Sequence, residues 1–148
     1  MSRRAGKQES NTVVTKIIPL LPSTEVALNL LETVLDRSFD AILITDGAKD
    51  QRIIYCNAAF ERLTGYTAEE MIGKSPKLLQ GPSTDRIETE RLGRCLLEQG
   101  SFTGQAVNYK KNGTPFMMSW RVDPVLIGNE VVIWLAIQRE IAMQWQAE

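Results

Sequence analysis

The chain has 148 residues, the length of one ordinary domain, and 43% hydrophobic content leaves room for one core. With 17 Lys+Arg against 18 Asp+Glu and no histidine, it lacks the basic face of a nucleic-acid binder and the commonest general base and metal ligand. Cys56 and Cys95 fit no CxxC or zinc spacing and no apolar run nears the roughly 20 residues of a membrane span, so we expect a cytoplasmic, non-hydrolytic domain without a metal site.

Residues 1–22 read as a flexible tail: Arg3, Arg4, Lys7, Gln8, Glu9, Ser10 and Asn11 are solvated types, without the apolar run of a signal peptide. Ser23 and Thr24 then open a flanking helix over residues 23–38. Val26, Ala27, Leu30, Leu31, Val34 and Leu35 recur at helical spacing, with Glu25 in the first turn where the helix dipole favours an anion. That apolar stripe fits either the domain itself or a second copy in a dimer.

From Asp40 the period changes. The runs 41–46 and 52–56, rich in β-branched types and joined by a turn-like stretch at residues 47–51, predict a hairpin. Asn57 is placed to cap a helix through Phe60 and Leu63 that stops at Gly65. Thr67 and Glu70 have the spacing of a capping box. Asp85 and Glu88 repeat that spacing and open a helix carrying Ile87, Leu92, Leu96 and Leu97, ended near Gly100. Three strand-like runs follow, 102–110, 115–125 and 131–138, separated by the turns Lys111-Asn112-Gly113 and Ile127-Gly128-Asn129. Residues 140–148 read as the start of a C-terminal linker helix, with Ile141 and Trp145 on its apolar side. The order, two strands, several short helices, then three strands, predicts an α+β fold: one five-stranded antiparallel sheet with the helices on one face, over residues 39–139.

The residues that carry chemistry become legible through a resemblance. Asn57-Ala-Ala-Phe60, Leu63-Thr-Gly-Tyr66 and Glu70-Met-Ile-Gly73, in this order of elements, resemble a PAS domain. The segment from Gly73 through Leu79-Gln80-Gly81 to Asp85, the segment from Asn108 to Phe116, and the closing Ala136-Ile-Gln-Arg-Glu-Ile141 resemble the LOV (light, oxygen, voltage) branch. The resemblance implies flavin mononucleotide (FMN) as cofactor. It implies that Asn108 and Gln138 meet the ring edge, that Gln80 faces the junction of ring and ribityl chain, that Thr45 lines the ring pocket, and that Lys77 meets the phosphate. An amide side chain suits a ring edge that both donates and accepts.

Several positions depart from the branch. Pro76 stands at the photoactive cysteine, so no flavin–thiol adduct forms there. Ser75 replaces the ribityl-binding asparagine, Met118 a second ring-facing asparagine, and Trp120 a smaller ring-pocket residue. Gly93 stands at a second phosphate arginine, with Arg94 next to it, and Lys77 keeps charge but not the guanidinium fork. An unpaired polar ring edge costs about 1–3 kcal/mol, so Met118 alone corresponds to roughly 5- to 150-fold weaker flavin binding. Trp120 fits either stacking near a flavin or filling the space one needs, and Trp134 and Leu135 read as sheet-face packing or a dimer surface.

The expected function is a regulatory sensor module, not an enzyme. It relays a pocket or dimer-interface change through its flanking helices, as a homodimer, to an effector such as a histidine kinase or a cyclic-dinucleotide enzyme, by flavin photoreduction or redox change. The alternative is a cofactor-free dimerisation or small-ligand-binding PAS domain.

Overall fold

A computed structural model describes residues 16–143. The chain divides into two units, one ending at Leu35 and the other beginning at Asp36.

The first unit holds a 3-10 turn at Ile18–Leu20, within the stretch expected to be a flexible tail, and nearly all of helix α1 (Thr24–Arg37). Ser23 Oγ accepts from Val26 N at 3.2 Å, which satisfies one of the four free N–H groups at the helix start. No residue of α1 is buried.

The second unit is the predicted α+β arrangement. Its elements are β1 (Ala41–Asp46), β2 (Ile53–Cys56), α2 (Ala58–Thr64), α3 (Ala68–Met71), a 3-10 turn (Pro76–Leu79), α4 (Arg86–Leu97), β3 (Phe102–Tyr109), β4 (Pro115–Ile127) and β5 (Glu130–Ile141). The five strands form one antiparallel sheet in the order β2-β1-β5-β4-β3, so the first and last strands lie side by side.

The local signals act as their chemistry dictates. Asn57 caps α2 through Oδ1, which accepts from Phe60 N at 3.0 Å and also from Ile42 N at 2.9 Å, while its Nδ2 donates to Asp40 O at 3.1 Å. One buried amide therefore ties the start of β1 to the start of α2. Gly65 ends that helix at φ 79°, a left-handed conformation that glycine adopts without steric cost. Thr67 and Glu70 form the complete capping box. In the β1–β2 turn a Cβ on Gly47 would lie 2.1 Å from the Val131 carbonyl oxygen, so the backbone approach there requires glycine.

Asp85 caps α4 by accepting from Ile87 N at 2.9 Å, but Glu88 does not complete a box. It accepts from Arg91 Nε at 2.9 Å, and Arg91 Nη2 donates to the Thr103 carbonyl at 2.7 Å while its guanidinium sits 4.3 Å from the Phe102 ring centre. This clasp fixes α4 against β3. Two expected apolar positions of α4 are not packed: Ile87 is 72% and Leu97 86% exposed, because the helix meets the core through Leu92, Cys95 and Leu96 alone.

The C-terminal expectation needs correction. Glu140 and Ile141 are strand, not helix, since β4 is long enough to pair with them: Met117 lies opposite Ile141 and Met118 opposite Glu140. Arg139 reaches Asp40 at 2.8 Å. The rest of the predicted linker helix, from residue 144, lies outside the described residues.

Candidate functional site

Side chains alternate along each strand, and the inward face of the sheet forms one wall of a cavity of about 1400 Å³. The Ser75–Gln80 segment and α4 form the facing wall. All eight residues singled out from the sequence line it: Thr45, Ser75, Lys77, Gln80, Asn108, Met118, Trp120 and Gln138.

They divide into two sets. Thr45, Asn108, Met118, Trp120 and Gln138 are buried, on four of the strands. Register places them: Gly104, Trp120, Gln138 and Ala41 are successive partners across β3, β4, β5 and β1. Lys77 and Gln80 are exposed and Ser75 half-buried, at the mouth. Ser75 Oγ accepts from Lys77 N at 3.2 Å, so it starts the 3-10 turn in which Pro76 holds the first position.

The buried set carries an unusual polar group. Asn108, 7% exposed, donates from Nδ2 to the Ala106 carbonyl at 3.3 Å. Gln138 is 6% exposed, and its Oε1 is buried without any hydrogen-bond partner in the protein. No group of the sheet donates to this oxygen. Met118, 2% exposed, brings a thioether to the same wall. Trp120 packs in the core with its ring centre 5.6 Å from that of Phe102, and it also lines the cavity.

Trp134, expected as sheet-face packing or a dimer surface, packs in the core of the sheet face and lines the cavity as well. It is buried, opposite Thr45. The signal was present as the period-2 spacing Trp134, Ala136, Gln138.

The mouth carries mixed charge: Lys49, Arg52, Lys77 and Arg86 against Asp50, Glu90 and Glu130. Gly93 faces the cavity and Arg94 does not line it. Neither cysteine lines the cavity. Burial, with the nearby Glu61 carboxylate, pushes the Cys56 thiol up to about 11, and Cys95 Sγ donates to the Ser101 carbonyl at 3.0 Å. Among the described residues no cluster of three or more His, Cys, Asp or Glu is placed to hold a metal ion, and no helix is long and apolar enough to cross a membrane.

Comparison with known proteins matches residues 40–142 to the PAS domain family. The chain is 34% identical over 111 residues to a blue-light photoreceptor of Listeria innocua, covering 74% of this chain and 44% of that protein. It is 38% identical over 96 residues to a blue-light-activated histidine kinase of Brucella anthropi, covering 64% of this chain and 20% of that protein. The LOV domain from a blue-light-activated histidine kinase of Erythrobacter litoralis superposes with a TM-score of 0.69 at 28% identity, covering 72% of this chain and 100% of that one. This chain thus spans less than half the length of these curated relatives. With the family matched across the whole sheet and its helices, and with LOV-bearing receptors among its relatives, the chain belongs to the PAS domain family and is a regulatory sensor module.

Proposed function

We propose that the cavity holds a flavin ring and that the domain senses light or redox state without forming a flavin–thiol adduct. The observation that carries this reading is the Gln138 Oε1 atom, buried in the cavity wall without a partner. A buried acceptor left unmade costs about 1–3 kcal/mol, and a ligand donor relieves it. Asn108 and Gln138 both donate and accept, as the edge of a flavin ring requires. Thr45, Trp120 and Trp134 bound the ring space, and Ser75, Lys77 and Gln80 meet the tail at the mouth. Met118 supplies packing in place of an amide, so the ring is held by fewer hydrogen bonds.

When bound, a flavin supplies blue-light absorption and electron-accepting chemistry. The output is set by the protein's own residues. Pro76 offers no sulfur to the ring, so the response runs through hydrogen bonding at Gln138. That residue sits on β5 between Trp120 on β4 and Ala41 on β1. A rotation of its amide changes the contacts of β5 with both central neighbours and reaches Arg139 and Ile141 directly. The proposal extends to a homodimer through α1 and the sheet, and to an effector such as a histidine kinase or a cyclic-dinucleotide enzyme.

Absorption spectroscopy of purified protein after incubation with FMN or FAD and desalting tests the reading. We expect a retained oxidised-flavin spectrum that stays unchanged by blue light in the absence of reductant and bleaches in its presence. A colourless protein at saturating flavin overturns the proposal in favour of a cofactor-free dimerisation or small-ligand domain.

A further inference from the structure

We infer that the free edge of β3 is a capped interface for a second copy of this chain: side chains from residues 84–91 close it, and when they withdraw the second copy adds its own β3 antiparallel. The inference is independent of the flavin reading and concerns the rim of the sheet rather than α1 or the sheet faces.

β3 is the outermost strand on its side of the sheet, with β4 as its neighbour. In an antiparallel pair every second residue of the outer strand turns its N–H and C=O away from the sheet. Here these residues are Thr103, Gln105 and Val107, and each is met by a side chain. Arg91 Nη2 donates to the Thr103 carbonyl at 2.7 Å, the Glu88 carboxylate accepts from the Gln105 N–H, and Thr84 Oγ1 donates to the Val107 carbonyl at 2.7 Å. The caps occupy the positions at which a sixth strand would bond.

β3 has none of the usual guards of an exposed edge. It is eight residues long and contains no charge and no proline. β2, at the opposite edge, is four residues long, and its Ile53 already pairs through the backbone with Gly73 and Lys74. Side-chain caps are a weaker guard, because an exposed charged side chain exchanges its partner for water at little cost. The Arg91 side chain is 47% exposed.

The strand is also self-complementary. An antiparallel pairing centred on Gln105 sets Thr103 of each copy opposite Val107 of the other, and the two Gln105 residues opposite each other. Outward backbone groups then meet their counterparts, β-branched side chains lie across from one another, and no like charges are brought together.

Sedimentation velocity of the full chain and of Glu88→Ala/Arg91→Ala, across a range of concentrations, tests the inference. Alanine is the best helix former, so α4 is retained. We expect the double variant to associate at least about tenfold more tightly than the parent. The product is a dimer if the parent is a monomer, and chains of dimers if the parent already pairs through another surface. Adding Gln105→Lys sets two like charges opposite each other at the centre of the pairing and should cancel the gain. A double variant that associates no more tightly than the parent overturns the inference. So does a gain that survives Gln105→Lys, since it then comes from unfolded chains or another surface. Should the double variant not fold, Arg91→Met serves instead: it keeps a hydrocarbon chain against Phe102 and removes the donor to Thr103. It should give a gain of the same sign, again cancelled by Gln105→Lys, and no gain counts against the inference.

Discussion

Replacing Gln138 by leucine has opposite consequences for the empty and the loaded protein. Gln138 is 6% exposed, and its Oε1 lacks a partner. In the ligand-free state that acceptor has lost its hydration without recovering a hydrogen bond, at a cost of about 1–3 kcal/mol. Leucine fills similar volume with no polar atom, so the ligand-free variant should gain stability of that order. For a domain of this size about 4 °C accompanies each kcal/mol, giving a Tm higher by about 4–12 °C. With flavin the sign reverses. The ring edge then faces an alkyl group, and affinity should fall by roughly 5- to 150-fold. Thermal denaturation of ligand-free protein and flavin titration of the same preparation measure both. A ligand-free variant less stable than the parent, or one that binds flavin as tightly as the parent, refutes the reasoning, because either result means that Oε1 is not an acceptor awaiting a ligand.

Two further outcomes follow from groups outside the cavity. Asn57→Ala removes the amide that serves Ile42 N, Phe60 N and Asp40 O together, and should cost about 3 kcal/mol or more, seen as a Tm drop of about 10 °C; a drop under about 4 °C would show that the cap and the strand contact are independent of that side chain. Cys56 has a folded-state pKa of about 11 against an ordinary 9.0, raised by burial and then by Glu61. The folded protein therefore keeps a proton that the unfolded chain has lost, and the stability linked to it is full below pH 9.0 and lost as pH rises through about 11. Chemical denaturation across that window should show a steeper decline for the parent than for Cys56→Ala, and at neutral pH iodoacetamide should label Cys95 well before Cys56; equal slopes or equal labelling would contradict the burial argument.

The parts of the fold that were legible in the sequence are those governed by short-range chemistry. Thr67 and Glu70 satisfy each other's backbone partners within one turn, so spacing alone identifies the start of α3. Asn57 and Gly65 bracket α2 for the same reason. What was not legible depends on partners distant in the chain. Glu140 and Ile141 open the stretch expected to be helix but are strand because Met118 and Met117 of β4 pair with them, and each added pair satisfies backbone groups that a free end leaves open. Ile87 and Leu97 match an apolar face, yet which face of α4 is covered is decided by the Arg91 clasp to Thr103 and Phe102. Within the site, family resemblance selected residues that the structure gathers around one cavity, including Lys77 and Gln80 at its mouth. It passed over Trp134, whose place opposite Thr45 is a matter of register.

The pairing of β1 with β5 has a consequence for how such a unit can be built into larger proteins. Ala41 opens its strand directly opposite Gln138, a few residues from the end of the last one. The polypeptide thus arrives and departs at the same end of the sheet, on hydrogen-bonded neighbouring strands about 5 Å apart. A unit of this kind can be spliced into a surface loop of a host with little distortion of either. A shift at the point of departure necessarily tugs on the point of arrival, making the pair a two-terminal coupler rather than a one-way lever.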